Sequence, residues 1–134
     1  MIDDQAVGAW LAAYELAWRS PGTEALAGLF APGATYSTAP YRPPVEGLAA
    51  IARLWEAERN GPDEVFTMRA QVVAVDQARA TAVARVAVDY GDPVTQSYRD
   101  LWVMRFGADG RCAAFEEWPF WPPGTSGVVA GHDH

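Results

Sequence analysis

The first sixty residues repeat apolar side chains with the period of an α-helix. From Asp3 to Arg19 these side chains recur every three or four positions and form one stripe. Asp3 and Asp4 place carboxylates where a helix N-terminus favours them. The helical period returns over the short segment Thr23–Phe30 and over Gly47–Arg59. The pattern therefore predicts three helices in this part of the chain.

Two different segments separate the second predicted helix from the third. Ala34–Thr38 is predicted as a short strand because Thr35 and Tyr36 favour extended backbone. Ala39–Pro44 contains three prolines, which cannot donate hydrogen bonds to a strand ladder. That segment is predicted as a loop.

Beyond residue 64 the period of the pattern changes from helical to alternating. Alternation over several residues is typical of strands with one buried face, and the connections are short enough for antiparallel hairpins. The four predicted strands are Val65–Val75, Arg79–Tyr90, Thr95–Phe106 and Cys112–Phe120.

Helices followed by a run of strands predict an α+β fold. We expect a cone of three N-terminal helices against a curved, mostly antiparallel sheet, and the open end of such a cone is a natural small-molecule cavity. The 134 residues suffice for one domain with one core. We place this domain at residues 1–121 and predict a flexible C-terminal tail at residues 122–134.

The charge balance of the chain is acidic. Seventeen Asp and Glu residues oppose ten arginines, there is no lysine, and the formal net charge is −7. A domain of this charge does not attract phosphate groups, so neither nucleic acid nor an anionic membrane is expected as a partner. The missing lysine excludes Schiff-base catalysis and a Walker-type phosphate loop.

Cysteine and histidine offer little chemistry. Cys112 is the only cysteine, which excludes an internal disulfide and a cysteine-rich zinc site. His132 and His134 are the only histidines and fall in the predicted tail, so no metal and no cofactor are predicted. No apolar run approaches the roughly 20 residues of a membrane span, and no signal peptide is visible. A cytoplasmic protein is therefore expected.

The predicted strand Thr95–Phe106 carries the best candidate for acid–base chemistry. Alternation places Asp100 on the same face as Tyr98 and Trp102, so it is a carboxylate on an aromatic face. Burial there would raise its pKa and suit it to general acid–base catalysis. The alternative is a structural carboxylate bonded to an arginine or to a backbone amide.

The predicted strand Cys112–Phe120 adds a second carboxylate. Alternation groups Glu116 with Cys112 and Trp118, and Glu117 with Phe115. If Glu116 faces inward, it forms a pair with Asp100 whose pKa values move apart, as an acid and a base require. The alternative is that each acid pairs with an arginine of a neighbouring strand.

Aromatic side chains supply the remaining candidates. Tyr14 is a possible hydroxyl donor to a substrate oxygen and joins Asp100 and Glu116 as a candidate catalytic residue. The alternative for these aromatic residues is ordinary core packing. The candidate ligand-binding residues are Trp18, Tyr36, Tyr41, Trp55, Trp102 and Trp118.

Several motifs together resemble the nuclear transport factor 2-like superfamily, and within it the SnoaL-like branch of polyketide cyclase and ketosteroid isomerase-like proteins. The resemblance covers roughly residues 5–121 and implies the cone-shaped fold and a homodimer packed through the outer face of the sheet. The matching residues are Tyr14 and Trp18 in the first helix, the corner Leu29–Ala34, Tyr36, Pro40, Gly47, Ile51, Trp55 and the turn Asp109–Arg111.

Residue-by-residue transfer from this superfamily implies only part of a known mechanism. Tyr14 falls where ketosteroid isomerases keep an oxyanion-hole tyrosine, but Thr38 or Ala39 stands where they keep the aspartate base. Trp102 falls at the oxyanion-hole aspartic acid position, with Asp100 two residues earlier. The epoxide hydrolase relay of two aspartates and an arginine is not reproduced either. SnoaL-type cyclases use an acidic residue on a late strand as acid or base, and Asp100, Glu116 or Glu117 could fill that role, since no motif selects one of them.

Three functional classes stay open at this stage. The first is cofactor-independent acid–base catalysis on a small apolar metabolite by an isomerase, cyclase, dehydratase or hydrolase. The second is a non-catalytic small-molecule binding domain. The third is a dimeric protein-interaction module, which requires a large exposed apolar patch. The sequence does not decide whether the protein is an enzyme.

Overall fold

The computed structural model describes residues 2–59, 64–120 and 122, and these form three helices and one six-stranded sheet. This confirms the predicted α+β class, with helices against a curved, mostly antiparallel, unclosed sheet. Along the sheet the strands lie in the order β2-β1-β6-β5-β4-β3. The elements are α1 (Asp4–Arg19), α2 (Leu26–Leu29), β1 (Phe30–Ser37), β2 (Val45–Glu46), α3 (Leu48–Glu58), β3 (Phe66–Asp76), β4 (Thr81–Tyr90), β5 (Gln96–Phe106) and β6 (Cys112–Phe120).

Helix α1 forms for the reasons that its sequence indicates. The side chain of Asp3 caps it by accepting a hydrogen bond from the backbone N–H of Ala6 at 2.8 Å. Its apolar stripe is buried and packs towards β3. One stripe residue, Trp10, donates its indole N–H to the carbonyl of Leu29 at 3.0 Å, which ties α1 to the end of α2.

The sheet contains pairings that local patterns did not predict. Strand β1 runs parallel to β6 and antiparallel to the two-residue strand β2. Gly47 then turns the chain into α3 with a φ of 86°, a conformation that favours glycine, and its N–H bonds the carbonyl of Ala34 at 2.8 Å. Such non-local pairings carry no short-range signal.

A β-bulge at the start of β6 changes which side chains face the helices. Phe106 pairs with Cys112 but Arg105 pairs with Ala114, so the register shifts by one residue. Cys112 and Phe115 are consequently both buried, although simple alternation places them on opposite faces. The predicted grouping of Glu116 with Cys112 is therefore wrong.

Two sequence predictions fall on residues outside the described part of the chain. The tail at 122–134 lies there apart from Pro122, and so do His132 and His134. Among the described helices, none combines the length and the apolar character that a membrane span requires.

Candidate functional site

A cavity opens between α1, α3 and the inner face of the sheet, which is the face that packs against the helices. Its volume is about 50 Å³. Of the fifteen described residues that line it, eight are aromatic, three are acidic and none is basic. The cavity thus combines apolar walls with a few polar groups, as small-molecule sites do.

Two buried tyrosines on different elements form a hydroxyl pair in this cavity. The hydroxyl oxygens of Tyr14 on α1 and Tyr36 on β1 lie 2.9 Å apart, within hydrogen-bond distance. Burial, and after it the negative charge of Glu117, raises the pKa of both tyrosines well above the ordinary value. Both hydroxyls are therefore protonated at neutral pH and can donate hydrogen bonds.

The indole of Trp55 lies beside this pair. Its ring centroid is 5.0 Å from that of Tyr14, and its N–H lowers the pKa of Tyr36. The interaction of this N–H with the Tyr36 hydroxyl falls short of hydrogen-bond geometry, and the N–H meets that geometry with no other described residue, although the side chain is almost fully buried. The cavity wall thus includes a buried donor.

Asp100 lies on β5 with its side chain towards the cavity. It is buried, with 8% of its surface exposed, and its Oδ2 accepts a hydrogen bond from the Trp102 indole N–H at 3.1 Å. The predicted face of β5 is confirmed, because Tyr98, Asp100 and Trp102 are all buried. Tyr98 also lines the cavity. It lies two residues before Asp100 in the strand and so shares its face, and this spacing could have identified it from the sequence.

The second cavity carboxyl group is Glu117, not Glu116. Glu117 is 7% exposed and pairs with Trp102 across the β5–β6 ladder, while Asp100 pairs with Pro119. The two carboxyl groups are therefore diagonal neighbours on one face, which is within reach for long side chains.

Glu116 points the other way. It pairs with Val103, is half-buried and does not line the cavity. Adjacent residues of a strand face opposite sides, so only one of the two glutamates can point inward. The predicted pair of Glu116 and Asp100 is therefore wrong. Only the register of β6 against β5 shows which of the two glutamates faces the cavity.

The six predicted ligand-binding residues divide into two groups. Trp18, Tyr36, Trp55 and Trp102 line the cavity together with the candidate catalytic Tyr14. Trp118 pairs with Leu101 on the outer face of the sheet, and Tyr41 is 99% exposed, so neither belongs to the cavity lining. Thr38, at the position where the resemblance places a base, also lines the cavity but has no group that removes a proton from carbon.

Trp18 and Phe66, two of the aromatic residues that line the cavity, are each held by contacts with neighbouring residues. Trp18 donates its indole N–H to Glu64 at 3.0 Å, and its ring lies 4.8 Å from that of Trp55. Arg19 donates to the carbonyl of Phe66 at 3.0 Å and stacks 3.9 Å from the Phe66 ring centroid. Because these contacts join α1 to β3, this part of the aromatic lining is held in place.

Sequence reasoning missed Tyr90, which enters the cavity from the end of β4. Burial, followed by the charge of Glu64, raises its pKa above the ordinary value. Its neighbours come from the start of β3 and of β5, so its location depends on strand pairing rather than on any local pattern.

Neither a metal site nor a reactive thiol emerges from the described residues. Within residues 2–59, 64–120 and 122, no three His, Cys, Asp or Glu side chains are grouped to hold a metal ion. Cys112 is buried, and burial raises the pKa of its thiol to about 12. A thiol in that state is a poor nucleophile at neutral pH.

A comparison with known protein families shows to which family the chain belongs. The profile of the SnoaL-like domain matches residues 10–115, so the protein belongs to the SnoaL-like domain family. This confirms the resemblance to the nuclear transport factor 2-like superfamily. A search of curated proteins finds no significant match.

Three solved structures illustrate the similarity of fold. The epoxide hydrolase/cyclase-like enzyme SalBIII, of pyran ring formation in the polyether salinomycin, has a TM-score of 0.70 at 16% identity, covering 92% of this chain and 95% of that chain. A cystatin-like protein of unknown function from Methylobium petroleophilum PM1 has a TM-score of 0.69 at 17% identity, covering 96% and 84%. A putative polyketide cyclase from Sinorhizobium meliloti has a TM-score of 0.65 at 22% identity, covering 87% and 100%. Similarity at this level shows the fold alone.

Proposed function

We propose that the protein is a cofactor-independent enzyme that binds a small, largely apolar metabolite in the cavity and moves a proton on it. The observation that carries this proposal is the pair of buried carboxyl groups, Asp100 and Glu117, on neighbouring strands of one aromatic-lined cavity. The reaction classes that fit are isomerisation, cyclisation, dehydration and hydrolysis without a covalent intermediate.

The two carboxyl groups have different surroundings, which suits them to different roles. Asp100 accepts a hydrogen bond from the indole N–H of Trp102 at 3.1 Å. Glu117 lies near both members of the hydroxyl pair Tyr14–Tyr36, whose pKa values respond to its charge. Two nearby carboxyl groups in unequal environments can serve as proton donor and proton acceptor.

The hydroxyl pair has the chemistry of an oxyanion site. Removing a proton next to a carbonyl group, or opening an epoxide, builds negative charge on an oxygen, and preorganised donors stabilise that charge. The raised pKa values of Tyr14 and Tyr36 keep both groups as donors. We therefore assign Tyr14 to the substrate oxygen and Tyr36 to the support of its hydroxyl.

The family supports this assignment at a coarse level. The SnoaL-like match and the fold shared with proteins named as cyclase-like are consistent with catalysis in the cavity. The substrate is not given by these comparisons, because function belongs to a site and not to a fold.

A substrate panel with matched variants tests the proposal. The purified protein is incubated with small cyclic ketones, enones and epoxides, and conversion is followed by NMR. Glu117→Gln and Asp100→Asn should each lower kcat by about 100-fold or more, the usual contribution of one acid–base group. The matched control Glu116→Gln, on the opposite face of the same strand, should retain activity. Full activity in Glu117→Gln and Asp100→Asn would refute the acid–base assignment.

A second candidate function is non-catalytic binding of the same kind of ligand. The enclosure by eight aromatic residues favours it, since aromatic walls bind apolar molecules whether or not chemistry follows. In that case Glu117→Gln would change the dissociation constant of a bound molecule, and no molecule of the panel would be converted.

The oligomeric state and location follow as proposals from the family and the sequence. We propose a homodimer through the outer face of the sheet, where Leu101 is 36% exposed and Phe120 is 60% exposed. Light scattering measures the mass of the protein in solution. A monomer mass, with no change of mass in Phe120→Lys, would contradict the homodimer. The exposed patch with Leu101 and Phe120 would then suit a protein-interaction module. A cytoplasmic location is likewise a proposal.

A further inference from the structure

We infer that the outer face of the sheet carries a second binding site, which takes a small molecule with two negative charges on its acid groups, such as a phosphate ester or a dicarboxylate. The outer face is the one turned away from the helices and the cavity. The inference goes beyond the proposed function and does not rest on it, because the site shares no described residue with the cavity lining.

Three arginines from three adjacent strands meet on this outer face. Strand pairing places Arg69 of β3 and Arg99 of β5 on either side of Ala87 in β4. Arg85 lies two residues before Ala87 and therefore on the same face of β4. Adjacent strands are about 4.8 Å apart, so the three guanidinium groups are close enough to reach one ligand.

The short side chain of Ala87 leaves room between these arginines. The lining of a depression of about 400 Å³ includes the three arginines, Ala87 and Gln71. The arginines are exposed, whereas Val86 and Val88, the neighbours of Ala87 in the strand, are buried on the inner face. The depression is therefore open to solvent, and its floor belongs to a hydrogen-bonded sheet that fixes the positions of the three arginines.

The arginines outnumber the acids around this depression. Asp89 approaches two of them, with its carboxyl oxygens 3.8 Å from Arg69 and 3.3 Å from Arg99. Arg85 forms neither an ion pair nor a hydrogen bond with any residue that the structure describes. Three guanidinium groups against one carboxylate leave an excess of positive charge, which a doubly charged anion balances.

The hydrogen-bond donors of these arginines suit a phosphate or carboxylate group. A guanidinium group carries five N–H donors in a planar fork, which matches two oxygens of such a group. Within the described residues, Arg69 and Arg85 donate no hydrogen bond. Arg99 donates to Asp89 and to the carbonyl of Tyr98. Most of the donors around the depression are therefore available to a ligand.

The charge of the whole chain limits the size of this ligand. The net charge is −7, which repels an extended polyanion such as nucleic acid. A small anion responds instead to the local arginines, because salt screens exposed charges beyond about 10 Å. The side chains of Arg69 and Arg99 are more than half exposed, so we expect binding of moderate strength that weakens as salt is added.

A series of anions tests the inference on the full chain. Inorganic phosphate and succinate, which are mostly doubly charged at pH 8, are compared with acetate at constant ionic strength. Binding is followed by NMR through the backbone amide of Ala87 and the side-chain N–H signals of the arginines. We expect saturable binding of at least one dianion, about fivefold or more tighter than that of acetate. Whichever of phosphate and succinate binds more tightly indicates whether the ligand is a phosphate ester or a dicarboxylate.

A matched pair of variants separates a local site from the overall charge. Arg85→Gln should weaken the binding of the dianion by about threefold or more, because it removes one of the three guanidinium groups. Arg105→Gln removes the same charge from the outer face, but Arg105 is exposed on β5 outside the lining of the depression. Binding to that variant should not change.

A third variant changes binding in the opposite direction. Asp89→Asn removes the carboxylate that competes with the ligand for Arg69 and Arg99. It keeps an oxygen that can accept the hydrogen bond from Ser97. Binding of the dianion should therefore become about threefold tighter or more, which loss of a merely structural contact would not produce.

Three results would overturn the inference. They are binding of both dianions no tighter than that of acetate, equal losses in Arg85→Gln and Arg105→Gln, and unchanged or weaker binding in Asp89→Asn. A homodimer that covers the arginines would give the first result, since Leu101, in the proposed dimer contact, pairs with Arg85. The first comparison uses the unsubstituted protein, so it decides the matter even if a variant does not fold.

Discussion

The two faces of the β5–β6 ladder use the same residue types for opposite purposes. On the inner face, Asp100 and Glu117 are nearly buried among aromatic rings. On the outer face, Glu116 is half-buried and Arg99 is exposed, with a contact to Asp89 at 3.3 Å that solvent can screen. The comparison teaches that the environment, and not the residue type, separates a candidate catalytic carboxyl group from a surface charge.

The largest expected contrast concerns two tryptophans on opposite sides of the sheet. Trp55→Ala should lower the free energy of unfolding by about 3–5 kcal/mol, because its side chain is 1% exposed and its removal leaves a cavity. Trp118→Ala should cost well under half as much, since Trp118 is half-buried on the outer face. Urea denaturation of both variants measures the difference, and equal losses would contradict it.

The next contrast is in the pH dependence of the free energy of unfolding, to which the tyrosines of the inner face contribute. The pKa values of Tyr14 and Tyr36 are raised in the folded protein, so the folded state holds their protons more tightly than the unfolded state. Their contribution to stability is complete below the unfolded value near 10 and is lost as pH rises further, by about 1.4 kcal/mol per pH unit for each group. Denaturation between pH 8 and 11 measures the slope. Tyr14→Phe should make it shallower, whereas replacing the exposed Tyr41 with Phe should not.

A smaller effect is expected from the hydroxyl pair at neutral pH. Tyr14→Phe and Tyr36→Phe should each cost about 1 kcal/mol, because each leaves a buried hydroxyl without its partner. The double variant should cost less than the sum of the two single changes. Additive losses in a double-mutant cycle would show that the two hydroxyls do not interact.

The smallest effect is expected on the outer face. Arg99→Gln removes an exposed contact with Asp89, whose carboxylate also accepts a hydrogen bond from Ser97 at 2.7 Å. Its effect on the thermal midpoint should be smaller than that of Tyr14→Phe. A larger effect would mean that the outer face contributes more than exposed ion pairs normally do.

Much of the architecture follows from local pattern. The stripe of α1, the proline-rich loop and the four long alternating strands predict their elements to within a few residues. The inward face of β5, with Asp100, follows from alternation as well. These features are local, because helical and extended periodicities are imposed by backbone geometry over short distances.

The identity of the second cavity carboxyl group did not follow from pattern. Sequence reasoning selected Glu116, and the bulge at Cys112 makes counting from that residue misleading. Tyr90 and the β1–β6 pairing were missed for a related reason, since both depend on residues far apart in the chain. A shift of one residue in the pairing of two strands exchanges the two faces of a strand. The sequence of one strand alone does not indicate such a shift.

The sequence by itself determined the class of fold, the acidic balance and the supply of aromatic and carboxyl groups on the late strands. Composition and short-range periodicity suffice for these, because they express the solvent preferences and backbone limits of individual segments. The tertiary structure alone decided that Glu117 joins Asp100 beside the pair Tyr14–Tyr36, and that Trp118 does not. That decision depends on strand register and helix packing, which are set by the combined burial of many side chains and not by any one segment.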